Sequence, residues 1–584
     1  MDPFSPILDQ PQVIDQDELD PEATYQLANQ DVVFTVDANT DLLDLFWPWA
    51  DEFYARRIQL RISSPPDDEP LMKMATRYYP GYQESILGSE GVIVSKRLAV
   101  PLGSNYDRSV LWMLECQAEG DRLLRLEVEI DWGQPLTQRM VDGLLVAQMN
   151  PGRAQGIYAQ HNADSTRVFG NPYGRPSAVE LSDEGRALLI YYVLVNGIVE
   201  VPLVLTISDV GEQVAWNGFL SLRDAERAFE QAGEAWSRVV KTGRLWTSDP
   251  RLNRALQVGR LTALRHVQRL RTGLAPSDRR VESVPGLVRC LDAHDLVLSR
   301  NLLAHLRRVA ERSQGRLPTI LPLRAKEAPA DPGLAVTATN RAYLAALHGH
   351  IQRHGPHPVL ADHYEAVQVC VEALILLRRE LQEDGPRLAD VAVALQWATQ
   401  LASWQGDSVN AARWESEAQE YSRLARATGV STLAQPPFPL DDWVEATGWQ
   451  MSARAPWHFS CPEAGIALAG AAIWQGCGLR WQGERLAVSP TAHNSWTWWA
   501  LLEMPWQEGS LSLVWDGEVL YATGPVESEY PVVPCGRIRA LGAGEFDFDL
   551  QFEITPAPSN GESPTGSPIH FRPHFDRPTG QRNQ

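Results

Sequence analysis

The chain has 584 residues, with 73 acidic against 52 basic side chains and a formal net charge of -21. That length exceeds one ordinary core and argues for about three to four domains. The charge disfavours nucleic acid and anionic membrane as partners, because a polyanion repels polyanions.

Residues 1–24 are acidic and Pro-rich and read as a loose arm. They carry no basic n-region and no long apolar h-region, so they do not read as a secretory signal, and a cytoplasmic location is expected. The six cysteines are scattered without a CxxC pair, which suits reduced, buried thiols and no zinc knuckle. Residues 25–220 run strand after strand in β-branched and aromatic stretches such as "RLLRLEVEIDW" and "VPLVLTISD". More than eight strands without intervening helices predict an antiparallel β-sandwich. The apolar run 187–207 is broken by Asn196, Gly197, Glu200 and Pro202, so it reads as buried strand and not as a membrane span.

Helical spacing begins near 221, and residues 221–244 read as a linker helix. Residues 245–430 carry about six helical stretches, the first capped by Ser248 or Asp249 with Pro250 in its first turn. Their connectors hold Gly or Pro, which predicts antiparallel helical hairpins. Residues 431–555 are Trp-rich, part helix and part β, with a hairpin turning at Asp516-Gly517 and a half-buried strand over 545–554. The tail 556–584 reads as disordered.

This order, and four local stretches, resemble the glycoside hydrolases with an (α/α)6 toroid: bacterial glucoamylases, amylo-α-1,6-glucosidase-type debranching enzymes and α-rhamnosidase-like proteins. The stretches are "VSKRLAVPLGSNYDRSVLWMLECQAEGDRLLRLEVEIDW" (94–132), "LWTSDPRLNRALQVGRLTALRHVQ" (245–268), "GRLPT" (315–319) and "LASWQGDSVNAARWESEAQEYSRL" (401–424). The resemblance implies a carbohydrate-active protein acting on or binding glucan-like saccharides, with an oligosaccharide or polysaccharide as partner and no cofactor. A hydrolase of this type needs two carboxyl groups, ~6.5–9.5 Å apart in inverting members. The mid-toroid loop that holds a Trp-acid pair in these families is here the short "LQEDGPRLADVAVAL", without such a pair. With six helices against the twelve of a full ring, the toroid is expected to be shortened. The alternative is a catalytically inactive scaffold used for sugar binding or protein assembly.

Candidate residues follow from the same resemblance. "LVRCLDAHDL" (287–296) occupies the start of the second toroid helix, where an acid holds the terminal sugar. Arg289, Asp292 and Asp295 are the nearest match, since carboxylates accept sugar hydroxyls and Arg donates to them. The competing and favoured reading is helix-terminus chemistry, acids capping exposed N–H groups. Glu327 and Asp331, in the loop after "GRLPT", are the catalytic candidates. Their competing reading is an exposed charged loop. Trp496 and Trp498 are candidates for sugar stacking if they share a strand face, against core packing. His350 and His354 share a helix face at zinc-site spacing, but read as a solvated helix end. Asp362 and Glu365 read as a capping box. Trp414 beside Glu415 reads as core beside solvent.

Overall fold

A computed structural model describes residues 12–15, 24–65, 68–102, 108–149, 165–324, 332–356, 358–430, 462–482, 485–490, 496–507, 509–541, 550–557 and 568–573. The described residues up to Val239 form one compact unit, and those from Val240 onward form the other.

The first unit is an antiparallel sheet of fifteen strands. Its spine is a pair of 23-residue strands, Ser109–Asp131 and Arg186–Ser208. They stay paired from Ser109↔Thr206 to Asp131↔Arg186, with one irregularity between Ala118 and Arg122. The first half of Ser109–Asp131 pairs on its other edge with Val92–Ala99, and the second half with Glu52–Ser64. Both halves of the sheet therefore share the same two strands. In the second half Leu124, Leu126, Val128 and Ile130 are buried while their neighbours reach outward, the alternation that "RLLRLEVEI" carries. Inside the sheet, Lys96 Nζ meets Asp41 Oδ1 at 2.5 Å with both side chains enclosed.

Helix α1, Glu212–Ser221, ends this unit's β run earlier than the expected 220. It packs on the long strand, where the Thr206 hydroxyl donates to the Ala215 carbonyl. Helix α2, Ala225–Lys241, is the expected linker helix. Its buried Trp236 donates Nε1–H to the Val100 carbonyl at 3.0 Å.

The second unit begins with strand Arg244–Thr247, which pairs with Trp499–Trp506 near the other end of the chain. Between them lie α3 (Pro250–Arg265), α4 (Val284–Leu291), α5 (Leu296–Arg312), α6 (Val336–His354), α7 (Val359–Leu376), α8 (Gly385–Gln405), α9 (Ser408–Ala427) and α10 (Pro462–Ala471). Before residue 430 this is seven described helices where six were expected. The additional one is α4, too short to show a helical period in sequence. Among the described residues no helix is long and apolar enough to cross a membrane.

The motif stretches have local reasons. In "TSDPRLN", Asn253 Oδ1 accepts from the Thr247 amide at 2.7 Å and hydroxyl at 3.0 Å, and Nδ2 donates to the Thr247 carbonyl. The side chain thus locks the strand end to α3. In "GRLPT", the Gly315 carbonyl accepts from Asn340 Nδ2 and the Leu317 carbonyl from Thr339. Gly315 has φ +78°, and a Cβ there would lie 2.0 Å from the Val369 carbonyl oxygen. In "WQGDS", Gly406 ends α8 with φ +83° and Asp407 caps α9 through the Asn410 amide. Trp414 is buried and Glu415 exposed, as expected.

Two expectations are corrected here. Helix α7 starts at Val359 after Pro358, so Asp362 lies within its first turn and does not cap it. The proline begins the helix four residues early because its fixed φ suits a helix start. Strand Ile569–Phe571 lies inside the stretch read as a disordered tail. Phe571 stacks on Phe552 with ring planes 22° apart, and that buried contact holds it. The hairpin at Asp516-Gly517 forms as read, with Asp516 Oδ1 accepting from the Glu518 and Val519 amides. The strand expected over 545–554 is seen as Gln551–Pro556; residues 542–549 lie outside the described residues. The five described cysteines are free and buried.

Gly315→Ala should cost about 3 kcal/mol, seen as a lower urea midpoint, because strain and a backbone clash coincide. His305 gives a second check. Its Nδ1–H donates to the Leu274 carbonyl at 2.7 Å, and burial pushes its pKa from 6.5 down to about 4. The unfolded imidazole gains a proton below about 6.5 while the folded one does not until about 4, so stability falls with pH across that window. Urea midpoints at several pH values should fall less steeply across it for His305→Gln than for the wild type.

Candidate functional site

The turn between α4 and α5 carries the stretch singled out in the sequence. Asp292 ends α4, its amide donating to the Val288 carbonyl. Asp295 caps α5, with Oδ1 accepting from the Val297 and Leu298 amides at 3.0 Å each. Its role is helix capping, the favoured of the two readings. His294 between them is buried, and burial drives its imidazole well below the ordinary range.

Asp292 is 0% exposed. Its Oδ1 accepts from Ser299 Oγ at 2.5 Å and from His350 Nδ1 at 2.7 Å. Its Oδ2 accepts from Arg353 Nε at 2.7 Å and lies 2.6 Å from Arg353 Nη2. A carboxylate has about four acceptor positions, and here four donors converge on it. Burial alone would raise its pKa, but His350 and then Arg353 beside it hold the carboxyl well below the usual carboxylate range. An Asp292 so enclosed has no acceptor left for a sugar hydroxyl. The sugar clamp expected at Asp292 therefore gives way to an internal ion network.

His350, Arg353 and His354 all come from the last turns of α6. His350 is 0% exposed, and its ring lies 5.1 Å from that of His354. His354 meets the edge of Trp474 and the ring of Trp506 at 5.5 and 5.8 Å. Burial, opposed by Asp292, lowers its pKa from 6.5 to about 3, so it is neutral. The histidine rings of this helix end are covered rather than solvated, contrary to the sequence reading. The helical turn Ala472–Gly476 that follows α10 and the strand Trp499–Trp506 bring Trp474 and Trp506 over it, and no local pattern in "HGHIQRHGPHP" shows that. A signal existed for Arg353, since 350, 353 and 354 share one face at i, i+3, i+4 spacing, whereas Ser299 had none.

Arg289 is half-buried on α4, and its carbonyl accepts Trp474 Nε1–H at 2.9 Å. Burial, then Arg353, lowers its pKa. A Cβ on Gly470 would lie 2.9 Å from Arg289 Cγ, so this glycine lets α10 close on α4. Trp498 is 2% exposed in a core with Trp246, Phe552 and Ile554, and Phe571 packs against it. Trp496 is 6% exposed. Both precede the strand Trp499–Trp506, so they do not share a strand face, and neither presents an open ring. Glu327 and Asp331 lie outside the described residues.

Two groups bring metal-type ligands together. One donor atom from each of Asp292, His350 and His354 lies within 4.8 Å of the others, and the same holds for His266, Asp278 and Glu463.

Comparison with solved structures gives the fold. A putative kojibiose phosphorylase from human microbiome aligns with 87% of this chain and 94% of its own, at 8% identity and a TM-score of 0.58. A bacterial glucoamylase complexed with acarbose covers 69% of this chain and 68% of its own at 12% identity, TM-score 0.43. A family GH92 alpha-mannosidase from Bacteroides thetaiotaomicron covers 70% and 65% at 10% identity, TM-score 0.40. No protein-family model and no curated protein matches the chain. The chain has a glycosidase-like fold, an antiparallel β domain followed by a helical region and a C-terminal β-rich portion.

Asp292→Asn should cost about 3–5 kcal/mol in chemical denaturation at pH 7, since it strands Arg353 beside a neutral partner in a buried site. Asp295→Ala should cost only about 1 kcal/mol, the loss of a cap.

Proposed function

We propose that the chain is a carbohydrate-active protein that takes an oligosaccharide or polysaccharide, glucan-like in character, at its helical unit. The observation that carries this reading is the likeness, along 87% of the chain, to a putative kojibiose phosphorylase. The sequence stretches that resemble toroid glycosidases support it from a separate direction. On this reading Glu327 and Asp331 supply the two carboxyl groups, one protonating the leaving oxygen and the other activating the attacking group. Both follow in sequence the stretch "GRLPT", whose backbone is pinned by Thr339 and Asn340. A cytoplasmic setting belongs to the same reading and is supported by the free thiols.

A second reading, a non-catalytic sugar-binding scaffold, is favoured by one observation. The acid at the position where the resemblance places a sugar clamp, Asp292, is spent on Arg353, His350 and Ser299.

The test uses the full-length protein with a panel of α-glucans and α-linked disaccharides, with and without inorganic phosphate. Binding is read by calorimetry and turnover by released sugar. An active enzyme should lose at least about 100-fold in turnover in Glu327→Gln and Asp331→Asn while keeping affinity. Binding without turnover establishes the scaffold reading. Neither binding nor turnover on any member of the panel sinks both.

A further inference from the structure

We propose that the end of α6 is a binding site for a divalent metal ion of the zinc class, held by His350 Nε2 and His354 and anchored by the Asp292 carboxylate. The argument is independent of the carbohydrate reading.

The two histidines stand four residues apart on one helix face, and their rings lie 5.1 Å from each other. With Asp292 they place three potential ligand atoms within 4.8 Å. The nitrogens carry the inference furthest. His350 Nε2 and both ring nitrogens of His354 are enclosed and meet no protein hydrogen-bond partner. A buried polar atom without a partner is costly, and three in one cluster call for a common ligand.

The hydrogen-bond pattern suits a metal. His350 Nδ1 is engaged by Asp292 Oδ1, so Nε2 is the nitrogen left to face a ligand. A carboxylate behind a histidine is the usual way such a ring is oriented and made more basic toward a metal. Two imidazoles favour zinc, cobalt or nickel over magnesium or calcium, which prefer oxygen, and the Asp292 carboxylate acts behind them through His350. Trp474 and Trp506 flank His354 and limit its contact with solvent, which favours a charge–ligand interaction. Arg353 on Asp292 Oδ2 opposes a second cation nearby, so the site should be weaker than one built on thiolates or free carboxylates. The His350–Asp292 hydrogen bond would tie the bound ion to the α4–α5 turn.

The other cluster serves as an internal control. There His266 Nδ1 is already matched with Ser277 Oγ at 2.6 Å, and Asp278 accepts from the Arg280 amide and the Ser283 hydroxyl.

The full-length protein, stripped with a chelator, is titrated with Zn2+ and with Co2+. One equivalent of Zn2+ should bind by calorimetry and raise the melting temperature. Co2+ should show visible d–d absorption with an imidazole signature, which reads the ligands without any substitution. His354→Ala, at a partly exposed helix end and checked for folding by circular dichroism, should weaken Zn2+ binding at least about tenfold. His266→Ala should leave it unchanged. No stoichiometric Zn2+ uptake, as for a cluster filled by water alone, overturns the proposal. So does binding that survives His354→Ala or is lost in His266→Ala.

Discussion

One buried charge organises the centre of the helical unit. The Asp292 carboxylate has no contact with solvent, so its desolvation must be offset by partners or the helices around it would not hold. Arg353, His350 and Ser299 supply those partners from α6 and α5. Such a network adds little net stability over an apolar core of the same shape. Its effect is on specificity. A shift of α6 by one turn would strand Asp292 and Arg353 at once, so the helix has one register against the α4–α5 turn. The glycine contact at Gly470 and the indole of Trp474 on the Arg289 carbonyl then fix α10 against the same turn.

Much of the architecture was legible in sequence because it is written in local rules. Strand alternation in "RLLRLEVEI", the Asp516-Gly517 turn, the Asp407 cap and the helical stretches are each set by neighbours within a few residues. The stretches that resemble toroid glycosidases prove to be locks of this kind, such as Asn253 on Thr247. The surroundings of Asp292 were not legible, for a simple reason. His350 and Arg353 lie 58 and 61 residues away, and nothing near Asp292 announces them. The same blindness made His354 read as solvated, because Trp474 and Trp506 arrive from far along the chain. Short elements failed too: α4 has two turns and α1 looked like the end of a strand run.

Fold and chemistry separate cleanly in this chain. A likeness that spans nearly the whole chain at 8% identity means that burial pattern and element order survive almost complete replacement of side chains. Chemistry does not survive that way, because it depends on a handful of groups in loops.

The spine of the β unit has a mechanical meaning. Because Ser109–Asp131 and Arg186–Ser208 run through both halves of the sheet, a load applied along them is carried in shear by the whole ladder at once. Neither half can peel open like a zipper while the other stays closed, except at the irregularity between Ala118 and Arg122. That short interruption is the one place where the ladder between these two strands lacks its regular pairs, so local opening costs least there.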